Sequence, residues 1–194
     1  MKVILIGYEG SQKIVPASKY LTDKYLPKSH FEVMYLNHKG GPKEWTKHIA
    51  TFLSFFTDEN IIFALDDYLV AGFDAEAYEA ALKEMGGDVV CIKLCKSTQE
   101  EHEEYPCTTQ YCIWNREYLI WLLGQVQTPW QFEINGSRIF NQTVLLRTCI
   151  DYFCNSSLSG RWEGINLSGL KQEDIDVIQE SFLEKKKTTV FDLH

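Results

Sequence analysis

No stretch of the sequence approaches the roughly 18 uninterrupted apolar residues that a membrane-spanning helix requires, so no integral membrane segment is expected. Positive charge is scarce. Lys and Arg number 19 against 27 Asp and Glu, a formal net charge of -8, and a sequence-independent hold on nucleic acid needs the opposite balance. Nucleic acid is therefore excluded as an expected partner. The cysteines, Cys91, Cys95, Cys107, Cys112, Cys149 and Cys154, lack the two-residue spacing of a zinc knuckle. They are expected to be reduced, buried thiols that bind no zinc. The segment GYEGSQK has too few glycines, and no Lys-Ser/Thr pair, for a phosphate-cradling P-loop. His30, His38, His48 and His102 have no i, i+4 metal spacing among themselves and are expected on the surface or in loops. The opening MKVILIGYEG has no small-residue cleavage site behind its apolar run. It reads as a first strand rather than a signal peptide, and a cytoplasmic location is expected.

What is present is the material of one α/β domain: 194 residues, 45% of them hydrophobic, with no internal repeat. Apolar, β-branched runs at Lys2 to Ile6, Glu32 to Leu36, Ile61 to Leu65 and Asp88 to Leu94 alternate with helical periods. That alternation predicts a mostly parallel central sheet flanked by helices. A first helix is expected from Pro16 to Tyr25. A second begins near Pro42, with Trp45, Ile49, Phe52, Leu53 and Phe56 on one stripe. Asp74 is placed to cap a third, bearing Tyr78, Leu82 and Met85, and Asn115 to cap a fourth, Arg116 to Leu123, which Gly124 should end in a left-handed conformation. A last helix is expected near Gln172 to Leu183.

Chemistry is best placed in IIFALDDYLV, where an apolar strand ends in Asp66 and Asp67. Ligands of open α/β sheets bind at the carboxyl ends of strands. Two adjacent carboxylates there repel each other unless a cation joins them to a ligand, and a hard divalent ion bridging carboxylate and diphosphate oxygens would do so. The alternative is a solvated turn with Asp67 capping a helix. A second segment, Tyr105 to Phe140, sets Trp114, Trp121 and Trp130 among polar residues that suit a sugar. Trp121, and alternatively Trp114, reads as helix-packing core. Glu133, between Phe132 and Ile134, is either an exposed strand position or a carboxylate suited to general-base work.

LDDYLV, then VVCIKL, then TTQYCIWNREYLIWLL with TPWQFEINGS behind it, resembles the GT-A-fold glycosyltransferases of bacterial capsule and lipopolysaccharide clusters and of large DNA viruses, over Trp45 to Phe140. The resemblance implies a metal-dependent transfer of a sugar from a nucleotide-sugar donor, a UDP-sugar by family habit, to a glycan or other hydroxyl acceptor. It places Mn2+ or Mg2+ on Asp67 with Asp66 beside it, although Tyr68 departs from a strict Asp-x-Asp. Gly7, Tyr8, Glu9 and Asp66 would meet the nucleotide. Gln110, Trp114 and Trp130 would meet the sugars, and Glu133, with Asp66, would be catalytic. The nucleotide part would be about residues 1–95 and the acceptor part about 96–194. Two other readings stay open: a nucleotidyltransferase, and a non-catalytic carbohydrate-binding domain.

Overall fold

The computed structural model describes residues 1–8, 14–94, 105–154 and 170–188. In chain order these form β1 (Lys2–Tyr8), α1 (Val15–Tyr25), β2 (Glu32–His38), a 3-10 turn (Pro42–Glu44), α2 (Trp45–Leu53), β3 (Asn60–Leu65), β4 (Tyr68–Phe73), α3 (Ala75–Lys83) and β5 (Val89–Lys93). The second half adds β6 (Cys112–Asn115), α4 (Arg116–Leu123), α5 (Pro129–Gln131), a π-helical turn (Phe132–Gly136), α6 (Ser137–Ile139), β7 (Thr143–Leu146), β8 (Ile150–Cys154) and α7 (Gln172–Thr188).

The main sheet has the order β2-β1-β3-β6-β5-β7. Its β2-β1, β1-β3 and β5-β7 pairs are parallel, while β6 runs antiparallel to both neighbours. This is the mostly parallel, helix-flanked α/β fold expected from the alternation of strand and helix. Both faces of the sheet are covered, and the pleat divides its side chains between two cores. Val3, Leu5, Ile62 and Ala64 join one cluster, with Tyr78 and Ala81 of α3; Ile4, Ile6, Ile61 and Phe63 join the other, with Trp45, Ile49 and Leu53 of α2. A separate two-stranded sheet, β4-β8, leans on α1 and α7 through Leu69.

The predicted caps form: Asp74 accepts from Ala77 N, and Asn115 from Tyr118 N, each at 3.0 Å. Three local expectations fail. His38, expected on the surface or in a loop, is buried as the last residue of β2. Gly124 is right-handed, with φ -68, because α4 ends in a turn that gives its N–H to Ile120 O and Trp121 O rather than in a left-handed cap. The residues after Asp66-Asp67 form β4, not a helix that Asp67 could cap. Its adjacent residues Leu69 and Val70 are buried on opposite faces, in two different apolar clusters. Among the described residues no helix is long and apolar enough to cross a membrane.

Candidate active site

The carboxyl ends of β1, β2 and β3 meet at a cavity of about 240 Å³ lined by Gly7, Val15, Tyr35, Leu36, Asn37 and Asp66. The parallel register brings them there, since Asp66 N, one residue beyond β3, donates to Ile6 O at 3.0 Å. Asp66 is almost wholly buried. Tyr35 forms a wall whose hydroxyl sits 2.9 Å from Thr22 Oγ1 and 3.4 Å from Ser18 Oγ, two buried positions of α1. Burial raises the Tyr35 phenol above its ordinary value, so it remains a neutral donor. Period-2 alternation at the end of β2 would have picked out Tyr35 and Asn37 together; the sequence reading passed over both. Gly7 lines the cavity. For Tyr8 the structure describes only the backbone, paired with His38, and Glu9 lies outside the described residues.

Two further acids, Asp67, next in the chain to Asp66, and Glu133, 66 positions further on, act on each other electrostatically. Asp67 Oδ1 is buried without a hydrogen-bond partner. Burial pushes its carboxyl up to about 6; a backbone hydrogen bond at its own residue pulls it down, and the negative charge of Glu133 adds to the rise. Glu133 is held by the loop before β6: Thr109 donates to Glu133 Oε1 through its backbone N–H at 3.0 Å and its hydroxyl at 2.8 Å. That loop is itself fastened to the end of β3, because Leu65 N donates to Thr109 O at 2.9 Å. Thr109 thus fastens Glu133 to the end of β3, two residues before Asp67.

Glu133 lies on neither a strand nor an ordinary helix but on the π-helical turn. Such a turn inserts one residue into helical geometry and re-aims the side chains around it. The turn packs against the same loop, where Ser137 Oγ accepts from Cys107 N at 3.0 Å and a Cβ on Gly136 would come within 3.4 Å of Cys107 Sγ. Gln110, a predicted substrate residue, is buried nearby and accepts at Oε1 from the Tyr152 hydroxyl of β8 at 2.5 Å.

The tryptophans exchange their expected roles. Trp114, predicted to meet a sugar, is 0% exposed in β6, packed with Phe132 and Phe140, and has no face to offer. Trp121, expected in the core, is 46% exposed and rests on Tyr118. Trp130 is 64% exposed, one turn ahead of Glu133 on the same helical stretch. Cys91, Cys107, Cys112 and Cys149 are buried free thiols, as expected; Cys95 lies outside the described residues. Burial lifts Cys107 and Cys149 to about 12, which keeps both protonated.

A divalent cation can be tested against these groups. Hard oxygen donors and an orphaned, buried carboxylate oxygen fit Mn2+ or Mg2+. Among the described residues no three His, Cys, Asp or Glu side chains form a ready cage. A cation held by one or two carboxylates would therefore be completed by oxygens of a bound phosphate, the common arrangement for Mg2+.

No protein-family model matches the sequence, and no curated protein matches it at the level of sequence. Solved structures do match. The chain is similar to a cytidylyltransferase from Leptospira borgpetersenii serovar Hardjo-bovis (strain JB197), at 11% identity and a TM-score of 0.52, over 100% of this chain and 97% of that one. It is similar to A197 from STIV at 11% identity and a TM-score of 0.50, over 79% of this chain and 85% of that one. It is also similar to the glycosyltransferase GlyE of Streptococcus pneumoniae TIGR4, at 14% identity and a TM-score of 0.48, over 74% of this chain but only 44% of GlyE. At such identities the likeness is one of fold, and that fold is shared along the full length with the cytidylyltransferase.

Proposed function

We propose that the chain is a metal-dependent glycosyltransferase that moves a sugar from a nucleotide-sugar donor, a UDP-sugar by preference, to a hydroxyl of a glycan or other acceptor. The observation that carries this reading is the orphaned Asp67 Oδ1 just beyond β3, next in the chain to Asp66, which lines the cavity at the strand ends. A buried acceptor without a donor is costly, and a cation brought by a diphosphate would satisfy it. Gly7, Tyr8, Glu9 and Asp66 are assigned to the nucleotide, Asp67 to Mn2+ or Mg2+, and Gln110 and Trp130 to the sugars. The nucleotide part is about residues 1–95 and the acceptor part about 96–194.

When bound, the cation would offset negative charge on the departing diphosphate. The chain itself supplies position and a base. Tyr35 and Asn37 wall the cavity, and Gly7 lets the backbone come close to what fills it. Both Thr109 hydrogen bonds fall on Glu133 Oε1, so Oε2 is the atom assigned to draw the acceptor hydroxyl proton. Titration calorimetry of UDP with Mn2+ tests the assignment. Binding to the parent should need the metal, and Asp67→Asn should abolish it; undiminished binding in that variant would move the metal elsewhere.

The full-length likeness to a cytidylyltransferase favours a second reading, nucleotidyl transfer from CTP. Melting curves separate the two: stabilisation by a nucleoside diphosphate with Mn2+ supports sugar transfer, and stabilisation by CTP with Mg2+, without response to the diphosphate, supports the alternative.

A further inference from the structure

Two histidines that no helical spacing relates come together at the carboxyl end of β2. His38, the last residue of β2, is almost wholly buried, and its Nδ1 lies 3.0 Å from Nδ1 of His48 on α2. His38 Nε2 lies 3.2 Å from Gly41 O. A carbonyl oxygen only accepts, so Nε2 carries the proton, and a neutral His38 turns the lone pair of Nδ1 towards His48. An imidazole that gives one N–H to a backbone carbonyl and points its other nitrogen at a second ligand has the outer-partner arrangement of metal-binding histidines.

A carboxylate stands by the same turn. Glu44 is four residues before His48, one helical turn away. Its Oε2 lies 2.6 Å from where a Cβ on Gly40 would sit, a point 3.4 Å from Cε1 of His38 and 3.5 Å from Cε1 of His48. Gly40 has φ +144 and leaves that space open, as a larger residue could not. The two rings and the carboxylate thus converge on one side of the Gly40-Gly41 turn.

We propose that His38 Nδ1, His48 Nδ1 and Glu44 form a binding site for a first-row transition ion of the zinc type, separate from Asp67. Imidazole and carboxylate in a two-to-one ratio is a donor set that such ions accept, with a fourth position left to water. A cation about 2.1 Å from each nitrogen would see the present pair at roughly 90°, and opening the nitrogens by about 0.4 Å would reach the tetrahedral angle. Among the described residues no three ligands are yet closed on one point, so Glu44 completes the set by a side-chain rotation from its exposed position. Since Asn37, the residue before His38, lines the strand-end cavity, the ion would brace the turn behind that wall.

Calorimetric titration of the full chain with Zn2+, under a phosphine reductant, tests the site against a simple hydrogen bond between the two rings. The parent should bind one equivalent. His48→Ala should weaken binding by at least about 10-fold, the smallest loss that even an outer partner of a ligand brings, and Glu44→Gln should weaken it too. Asp67→Asn should leave it at the parental strength, which keeps this test independent of the proposed function. His48 and Glu44 are exposed, so both variants should melt like the parent in the absence of zinc. A parent that takes up no zinc, or a His48→Ala chain that binds it as tightly as the parent, would overturn the proposal; unchanged affinity in Glu44→Gln would overturn the three-ligand form.

Discussion

Asp67 and Asp174 each have carboxylate oxygens withdrawn from water and are treated in opposite ways. Asp174, at the start of α7, is 0% exposed and fully engaged: the Tyr20 hydroxyl donates to it at 3.0 Å, the Tyr25 hydroxyl at 2.6 Å and Lys24 Nζ at 2.6 Å. Burial by itself would raise its carboxyl, but the hydrogen bonds from Lys24, Tyr25 and Tyr20 outweigh that and hold it below the usual range. Asp67 has an orphaned oxygen and a raised carboxyl. A carboxylate whose partners all come from its own chain is a fastener, here joining α7 to α1. One whose partner is missing, next in the chain to a residue that lines a cavity, is suited to a ligand.

The comparison can be broken most forcefully at Asp174. Asp174→Ala should cost about 3 kcal/mol of stability, the low end for removing one side of a buried ion pair, because Lys24 keeps Glu173 at 2.7 Å. Chemical denaturation measures the loss, and metal-dependent nucleotide binding should survive it. A loss under about 1 kcal/mol would show that α7 is not fastened through this residue.

Glu133→Gln should lower transfer by about 100-fold or more while donor binding stays near the parental strength, since the change removes the basic oxygen and little volume. Rate and binding must be measured on the same variant. Transfer within a few-fold of the parent would make Glu133 a structural anchor for Thr109.

The smallest effect expected, and the one that sharpens the contrast, is the response to pH. Asp67 binds its proton more tightly folded than unfolded, so its ionisation costs stability from about pH 4 upwards, and the full cost, about 2–3 kcal/mol, is reached above pH 6. Asp67→Asn should therefore gain on the parent at pH 7 and match it near pH 4. Asp174 has the opposite sign. Its contribution is present above the ordinary carboxylate value and is lost as pH falls through its lowered one. Melting curves of the two variants and the parent from pH 3 to 8 would show the stability differences running in opposite directions. Parallel curves would remove the distinction.

Much of this was legible from neighbouring residues. The Asp74 and Asn115 caps, the runs that became β1, β2, β3 and β5, and the placing of Asp66-Asp67 at a strand end depend on contacts within a few positions along the chain. The short strands were not. β6 is four residues with three buried in a row, which has neither period, and its antiparallel place between β3 and β5 depends on partners far away in sequence. Trp114 and Trp121 were misplaced for the same reason: both sit in apolar company, and only the sheet decides that the first is sealed inside while the second stays at the surface.

The sequence by itself determined the class of the fold and put forward the acids of the candidate site, Asp66, Asp67 and Glu133, because strand and helix periods and the chemistry of carboxylates in apolar company are local properties. Only the tertiary structure decided that Thr109 fastens Glu133 to the end of β3, that Asp174 is neutralised by α1, and that His38 meets His48. Each is a pairing of side chains on separate elements, set by the sheet order and the packing of helices upon it, which no spacing along the chain encodes.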